Sequence, residues 1–391
     1  MNLKKTFSNI IFATTKISMI LCMQVSNNVT KCKFCSYKFG MNTIFIYKNN
    51  LIKNIQNIKK KSGRKKLIAV VKANSYGHNT KLISSIIDDK IDAYAVATVK
   101  EGVSLRNSTK KDIMLISPVI SNDYSKCLKN NLIVPIQNIN ELSGIVKFNQ
   151  KNVGLKFQIV VNTGMNRYGI KPRELRNLIN ILNQQKINVV GVYSHIFSED
   201  KKRINMQKRL FVKSCKVLFN SLDKNNLYVH LSASSTFQNK TKFTNASRVG
   251  LSLYGGEGSL QVIKICAKIS NIINVQKGDF VGYGKNYRAQ KNMLVAVVSL
   301  GYADGYSRLN SNKSRVLIND KFYNVVGNIC MDAFMVDLKN NNKIKVGDSV
   351  VVLGKDKKNE IKINELANIA NTIDYEILTN FIGGRFSYKI L

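Results

Sequence analysis

The chain has 391 residues, of which 44% are hydrophobic and 21% charged, and its formal net charge at pH 7 is +38. This balance excludes a disordered polypeptide, and the length predicts one large domain with a smaller one. The lysines are spread through every segment, without an arginine-rich or RNP-like motif. Biased residue usage therefore explains the charge better than specific nucleic-acid binding does.

The first forty residues contain no Asp or Glu, and their broken apolar run, 17–23, is too short to cross a bilayer. Lys16 interrupts the apolar stretch, and no A-x-A cleavage site follows. We therefore expect residues 1–41 to be a disordered basic extension rather than a targeting peptide. The folded part is predicted to begin near Met41.

The cysteines indicate a reducing compartment. There are seven, without paired spacing, so a disulfide framework is not expected. Cys32 and Cys35 form half of a zinc site that no second pair completes, and the chain has only three histidines. We predict a cytoplasmic protein with no metal and no membrane partner.

From Lys66 onward, short β-branched runs alternate with longer segments of helical character, as in repeated βα units. Eight runs are predicted to be parallel strands: 66–74, 93–98, 113–117, 133–137, 156–162, 189–195, 228–234 and 248–255. Eight such units close a (β/α)8 TIM barrel of the α/β class, whose site lies at the carboxyl ends of the strands. The runs end in polar residues, which favours a site there.

After about residue 276 the pattern changes to strands joined by short turns, with bends at 319–321 and 345–348 and one helix over 363–381. This is typical of a separate, mostly β domain. The predicted organisation is an extension at 1–41, a barrel at 42–275 and a β-rich C-terminal domain at 276–391.

The stretch VVKANSYGHN, residues 70–79, ends a buried run in an amine at Lys72. Burying a charged ammonium is costly unless another group pairs with it or consumes it. At the end of an inner barrel strand, burial lowers a lysine pKa, and the neutral amine can then form an imine. Taken alone, a lysine at a strand end is more often a solvated rim residue.

Three further motifs offer polar groups. NTGMNRYG presents Arg167 from a tight turn, where its planar fork suits a carboxylate. RVGLSLYGG places the backbone near Gly250 in the predicted strand eight, and Ser234 ends the predicted strand seven. The loops that follow these two strands often bind phosphate in TIM barrels. Tyr302, in SLGYADGYSR, occupies a turn that would expose its hydroxyl. Each also has an ordinary explanation, as a surface arginine, a strand-end turn or a core tyrosine.

Together these motifs resemble the alanine racemases, which are fold-type III enzymes that use pyridoxal 5′-phosphate (PLP). The resemblance covers about residues 42–391 and rests on seven motifs in the family's order: VVKANSYGHN, NTGMNRYGI, YSHIFSED, HLSASS, RVGLSLYG, GYADGY and VGNICMD. It implies a PLP-dependent isomerase that interconverts L-alanine and D-alanine for cell-wall peptidoglycan.

The resemblance also implies roles for individual residues. Lys72 matches the lysine that holds PLP as an internal aldimine, and Tyr302 of the partner subunit matches the opposite base, which makes a homodimer necessary. The other implied positions are Arg248 at the pyridine nitrogen, His195 beside the ring, Tyr76, Ser234 and Tyr375 at the phosphate, and Arg167 with the Met331 backbone N–H at the substrate carboxylate.

The sequence departs from the family pattern before Arg167. The family often has Lys-x-Asp there, and the lysine is modified in some members to a carbamate that braces the arginine. Val160 and Asn162 occupy these positions here. Another feature must therefore position Arg167.

Three other functions stay open on the sequence. A broader amino-acid racemase of the same family differs only in pocket volume, and one methylene changes binding by about 1–3 kcal/mol. A non-catalytic PLP-binding barrel protein would need no second domain, which GYADGY and NICMD argue against. A nucleic-acid binder, suggested by the charge alone, would show steeply salt-dependent affinity.

Overall fold

The computed structural model describes residues 42–231, 241–256 and 258–391. The predictions for the extension at 1–41 and for Ser234 fall outside these residues. None of the helices in the described ranges combines the length and the apolar composition needed to cross a bilayer.

The described chain begins with strand β1 (Asn42–Ile46) and then enters a parallel eight-stranded sheet. Its strands are β2 (Lys66–Val70), β3 (Ala93–Val96), β4 (Asp112–Leu115), β5 (Leu132–Ile136), β6 (Lys156–Val160), β7 (Val189–Tyr193), β8 (Tyr228–His230) and β9 (Ala246–Val249). The order β8-β7-β6-β5-β4-β3-β2-β9 brings the two ends together, where the Asn245 N–H donates to the Val229 carbonyl at 3.0 Å. The predicted barrel is confirmed.

Ten right-handed α-helices accompany the strands in the described ranges: α1 (Lys48–Ser62), α2 (Thr80–Ile87), α3 (Val99–Arg106), α4 (Tyr124–Lys129), α5 (Leu142–Asn149), α6 (Leu175–Gln184), α7 (Lys201–Leu218), α8 (Leu251–Tyr254), α9 (Ile363–Ile369) and α10 (Asp374–Asn380). Their apolar residues recur at helical spacing and face the core; α6, for example, buries Leu175, Leu178, Ile179 and Leu182. Short 3-10 turns include Tyr302–Asp304 and Phe381–Gly383.

The predicted strand 248–255 is wrong in its second half. Strand β9 ends at Val249, and residues 251–254 form the helical turn α8. Gly250 starts the turn at φ −120°, ψ −90°, and Gly255 ends it at φ +119°. An apolar run bounded by glycines fits a buried helical turn as well as a strand, so periodicity alone does not separate them.

A second, nine-stranded sheet contains β1 and eight later strands. These are β10 (Ile263–Val275), β11 (Met293–Val298), β12 (Arg315–Ile318), β13 (Lys321–Val326), β14 (Phe334–Asp337), β15 (Ser349–Asp356), β16 (Asn359–Ile361) and β17 (Phe386–Ile390). Strand β1 pairs antiparallel with β10 and parallel with β17. The mostly β character of the C-terminal part is confirmed, although β17 was not predicted.

Two local predictions in this part have different outcomes. The bend at 319–321 is confirmed: Asn319 and Asp320, at φ 50° and 62°, join β12 to β13 as a two-residue hairpin. The single helix over 363–381 is wrong, since α9 and α10 are separate. The break lies at Asn371, whose φ of +51° cannot continue a right-handed helix.

Candidate active site

Lys72 lies just beyond β2, at the carboxyl end of the barrel, and begins an unusual turn. The next four residues, 73–76, all have φ between 50° and 55°, which is the left-handed helical region. That region costs an L-residue roughly 1–2 kcal/mol. The turn is therefore maintained by its surroundings.

Those surroundings include Glu101 and His78. One Glu101 oxygen accepts from the Ala73 N–H at 2.7 Å, and the other accepts from the Ala97 and Thr98 N–H groups. His78 is fully buried, with Nδ1 at 2.9 Å from the carbonyls of Ser75 and Tyr76, and burial lowers its pKa to about 4. A neutral imidazole thus donates into the turn.

The Lys72 amine has a pKa below its ordinary value. Burial is the main cause, and the nearby positive charges of Arg167 and Arg248 act in the same direction, while Glu101 opposes them. A lowered pKa makes the neutral, nucleophilic amine more available. The structure therefore brings Lys72, Arg167 and Arg248 into one electrostatic environment.

Arg248, on β9, is only 6% exposed and pairs with no carboxylate among the described residues. Its guanidinium contacts His230 Nδ1 at 2.5 Å and His195 Nδ1 at 3.3 Å, and donates to the Ser194 carbonyl at 2.9 Å. Burial and then the charge of Arg248 lower the pKa of His195 to about 3 and that of His230 well below its ordinary range. Both imidazoles are thus neutral and accept from Arg248.

Tyr76, Tyr375 and Gly250 come together beside the left-handed turn. The Tyr76 ring lies 5.8 Å from that of Tyr375 and 5.2 Å from that of Tyr254. A Cβ at Gly250 would collide with Tyr76 Oη and lie 3.1 Å from Cζ. Three of the four predicted phosphate-cradle positions are therefore close together, and Ser234 lies outside the described residues.

The loop after β6 carries Arg167 on its exposed surface. Asn162 organises this loop: its Oδ1 accepts from the N–H groups of Gly164 at 2.9 Å and Asn166 at 3.3 Å, and its Nδ2 donates to the Asn166 side chain. The Arg167 guanidinium lies 5.5 Å from the Tyr168 ring and has no ion pair within the described ranges. Val160, where the family often has a modified lysine, is buried.

Tyr302 and Met331 form a second group, on the surface of the C-terminal part. They are 45% and 53% exposed, and the Tyr302 and Ala303 N–H groups donate to the Cys330 and Met331 carbonyls. Within the described residues, no hydrogen bond, ion pair or ring contact joins this group to Lys72.

Sequence reasoning missed Arg385, which fixes the Tyr302 turn. Its guanidinium makes two 2.8 Å bonds to the fully buried Asp304 and a third to Asp332. Burial acts to raise the Asp304 pKa, but the bonds from Arg385 and Gly301 outweigh it and hold the pKa below its ordinary value. Arg385 is 81 positions away from Asp304, so no local signal reveals it. Glu101 was also missed, although Thr98-x-x-Glu101 is a capping-box pattern.

The fold and site define a class: a TIM-barrel protein with an attached β domain, a lysine of lowered pKa at the barrel mouth and a buried arginine that pairs with no carboxylate in the part of the chain that the structure describes. Two family models match the chain, "Alanine racemase, N-terminal domain" over residues 46–258 and "Alanine racemase, C-terminal domain" over residues 262–389.

Individual relatives agree. An alanine racemase of Clostridium perfringens is 32% identical over 348 residues, covering 83% of this chain and 89% of the relative. The crystal structure of the Bacillus anthracis alanine racemase with bound L-Ala-P superposes with a TM-score of 0.81 at 25% identity, covering 88% of this chain and 93% of that one. The Bartonella henselae alanine racemase with covalently bound pyridoxal phosphate shares the fold, with a TM-score of 0.80 at 23% identity over 90% and 100% of the two chains. The chain belongs to the alanine racemase family.

Proposed function

We propose that this protein is an alanine racemase that interconverts L-alanine and D-alanine with PLP as its cofactor. The observation that carries the proposal is the Lys72 amine, which follows the first barrel strand and has its pKa lowered by burial and by two arginines. Membership of the alanine racemase family supports it.

The barrel-mouth residues fit PLP. Lys72 would hold the aldehyde, Arg248 the ring nitrogen, and Tyr76, Tyr375 and the backbone at Gly250 the phosphate, with His195 beside the ring. A side chain at position 250 would collide with Tyr76, so glycine suits this position. Its bare backbone allows the close approach that a phosphate requires. Ser234 completes the proposed phosphate site.

PLP, when bound, supplies the electron sink that makes the Cα proton of an amino acid removable. Arg248 would make this electron sink weaker. A guanidinium has only donors and keeps its proton in proteins, so Arg248 would donate a hydrogen bond to a ring nitrogen that faces it and would keep that nitrogen unprotonated. A weaker sink would favour protonation at Cα, which racemisation requires, over transamination.

Racemisation removes a proton from one face of Cα and delivers another to the opposite face, so two opposed bases suit it. We assign these roles to Lys72 and to Tyr302 of the partner subunit. The Arg385 contacts to Asp304 and Asp332 support this assignment, because they hold an exposed tyrosine on a fixed turn. Free lysine titrates near pH 10, so Lys72 needs the lowered pKa that burial and the two arginines give it to act near neutral pH.

Arg167 and the Met331 backbone N–H would bind the substrate carboxylate, and the active unit would be a homodimer. We place the protein in the cytoplasm, where it would supply D-alanine for peptidoglycan.

We further propose a barrel domain ending near residue 258 and a β domain beginning near 262, rather than the boundary at 275. Strand β10 supports this, because it pairs with β1, β11 and β15.

The direct test is to add PLP and L-alanine to purified protein and follow the loss of circular dichroism as D-alanine forms. Serine, lysine and arginine serve as competing substrates under the same conditions. We expect alanine to have the highest kcat/KM. Alanine ranking well below a larger amino acid would replace the proposal with a broad-specificity racemase, and no turnover of any of them would overturn it.

The shared site has its own test. Co-expressed Lys72→Ala and Tyr302→Phe chains should regain about a quarter of wild-type activity, because half of the dimers are mixed and each mixed dimer has one complete site. Each variant alone should be nearly inactive. Mixed dimers as inactive as the two parents would place both bases in one protomer.

A further inference from the structure

Gln207 of α7 lies outside the residues assigned above, yet its side chain is fully buried behind the barrel mouth. Its Nε2 donates to the His195 carbonyl and to Thr163 Oγ1, each at 2.9 Å, and its Oε1 accepts from the Phe197 N–H at 3.3 Å. One amide thus joins the loop after β6, which carries Arg167, to the loop after β7, which carries His195.

The direction of each bond is fixed by its partners. The His195 carbonyl can only accept and the Phe197 N–H can only donate, so the amide has one possible orientation. Thr163 Oγ1 accepts from Gln207 and is therefore free to donate to Ser194 Oγ, 2.8 Å away. Thr163 and Ser194 are also buried, at 1% and 2% exposure.

The network continues to the predicted cofactor site. The backbone carbonyl of Ser194 accepts from Arg248 Nη2 at 2.9 Å. Ser194, whose hydroxyl contacts Thr163, therefore also orients the buried guanidinium. Arg167 lies four positions after Thr163. Gln207, Thr163 and Ser194, which we call the Gln207 network, thus connect the elements that carry Arg167, His195 and Arg248.

We propose that Gln207 is a positioning residue, which sets the distance between the substrate-carboxylate group Arg167 and the ring-facing groups His195 and Arg248. The inference rests on the proposed function for its kinetic consequences, but its structural part does not. It answers the question raised by Val160 and Asn162: the Arg167 loop is braced here by neutral amides, Asn162 within the loop and Gln207 beneath it.

The size of the effect follows from the geometry. Without the amide, the His195 carbonyl, the Phe197 N–H and Thr163 lose buried partners, and the two loops are no longer tied to each other. A misplacement of about 1 Å at a reacting group can reduce the rate about 100-fold. We expect Gln207→Met, which keeps the volume, to raise KM for alanine about 10-fold and to lower kcat/KM by about 10- to 100-fold.

The experiment compares three single variants of the full chain and the double variant Thr163→Val with Gln207→Met. Gln207→Met removes the whole link, and Thr163→Val removes the hydroxyl but leaves the Gln207 bond to the His195 carbonyl. Ser214→Ala is the matched control: Ser214 is also buried on α7, but its hydroxyl donates to the Leu210 carbonyl of the same helix. Each variant is measured for alanine KM and kcat, PLP affinity by absorbance titration, and amide hydrogen exchange of PLP-free protein at 162–170 and 194–199.

We expect Gln207→Met to raise exchange in both loops, weaken PLP several-fold and raise KM. Thr163→Val should raise KM and exchange at 162–170 while PLP affinity stays within twofold. In the double variant, kcat/KM should fall by about the same factor as in Gln207→Met alone, because both changes break the same series of hydrogen bonds. If loop hydrogen exchange and PLP affinity in Gln207→Met are indistinguishable from those in Ser214→Ala, the proposal is overturned. If wild-type protein racemises nothing, exchange and PLP affinity still decide this inference; if Gln207→Met fails to fold, Thr163→Val decides it.

Discussion

Gly250→Ala tests the predicted PLP site through a single added methyl group. The new Cβ would collide with Tyr76 Oη and lie 3.1 Å from its Cζ. Tyr76 is 5% exposed, with the rings of Tyr254 and Tyr375 at 5.2 and 5.8 Å, so it has little room to move away. The methyl group must therefore displace the ring or the backbone at Gly250.

Overpacking of this kind costs about 1–3 kcal/mol. If the displaced groups hold the phosphate, the binding free energy of PLP becomes less favourable by this amount. Because about 1.4 kcal/mol corresponds to a factor of ten, the PLP affinity should fall about 5- to 150-fold. At a position whose backbone conformation alanine can adopt, replacing glycine by alanine also stabilises the folded state by about 0.4–1 kcal/mol through the unfolded chain. Gly383→Ala isolates that effect, because nothing lies within 4 Å of its added Cβ.

The assay is titration of PLP-free protein with PLP, followed by absorbance, with thermal unfolding measured alongside. Adding Tyr76→Phe to Gly250→Ala removes the atom that the methyl group meets first. It should recover part of the unfolding temperature but not the PLP affinity, since the predicted phosphate partner is then gone. Wild-type PLP affinity in Gly250→Ala would refute the placement of the phosphate beside Tyr76.

Three further predictions concern the bases and pH. Lys72→Ala should lose the PLP adduct that borohydride traps in the wild type, as read by mass spectrometry. Tyr302→Phe should keep the visible PLP absorption and lower kcat by at least 100-fold, within the range for a general acid–base group. Folding stability should fall as the pH drops from 7 to 5, by about 2 kcal/mol from His78 alone, because the unfolded imidazole takes up its proton near pH 6.5 and the folded one only near pH 4.

Each of these has a contrary outcome. A trapped adduct on another lysine in Lys72→Ala would relocate the site, and undiminished turnover in Tyr302→Phe would remove the second base. For the pH effect, urea unfolding of His78→Gln should show a weaker dependence between pH 7 and 5. His195, whose pKa of about 3 acts with the same sign, remains in that variant. An equal slope in both proteins would mean that His78 is not buried in neutral form.

The eight barrel strands follow from local pattern, since each β-branched run is short, apolar and followed by a helical segment. The position of Lys72 is visible for the same reason, because an amine directly after a buried run stands out in the sequence. The hairpin at Asn319 and Asp320 was also local, because both residues tolerate positive φ. Features that neighbouring residues decide were therefore predictable.

What local pattern could not decide is where distant segments meet. Strand β1 lies between β10 and β17 in the second sheet, with Ile44 paired to Tyr388 across most of the chain. Arg385 reaches Asp304, and Gln207 reaches Thr163 from 44 positions away. Such contacts depend on which surfaces the folded chain buries together.

The sequence by itself thus determined the order of elements and the chemistry carried by individual residues, because propensity and periodicity act within a few residues of each position. Only the tertiary structure decided the environment of that chemistry. The lowered Lys72 pKa arises from burial and from arginines 95 and 176 positions further along the chain. Burial and electrostatic interaction depend on distance in space, which the fold sets.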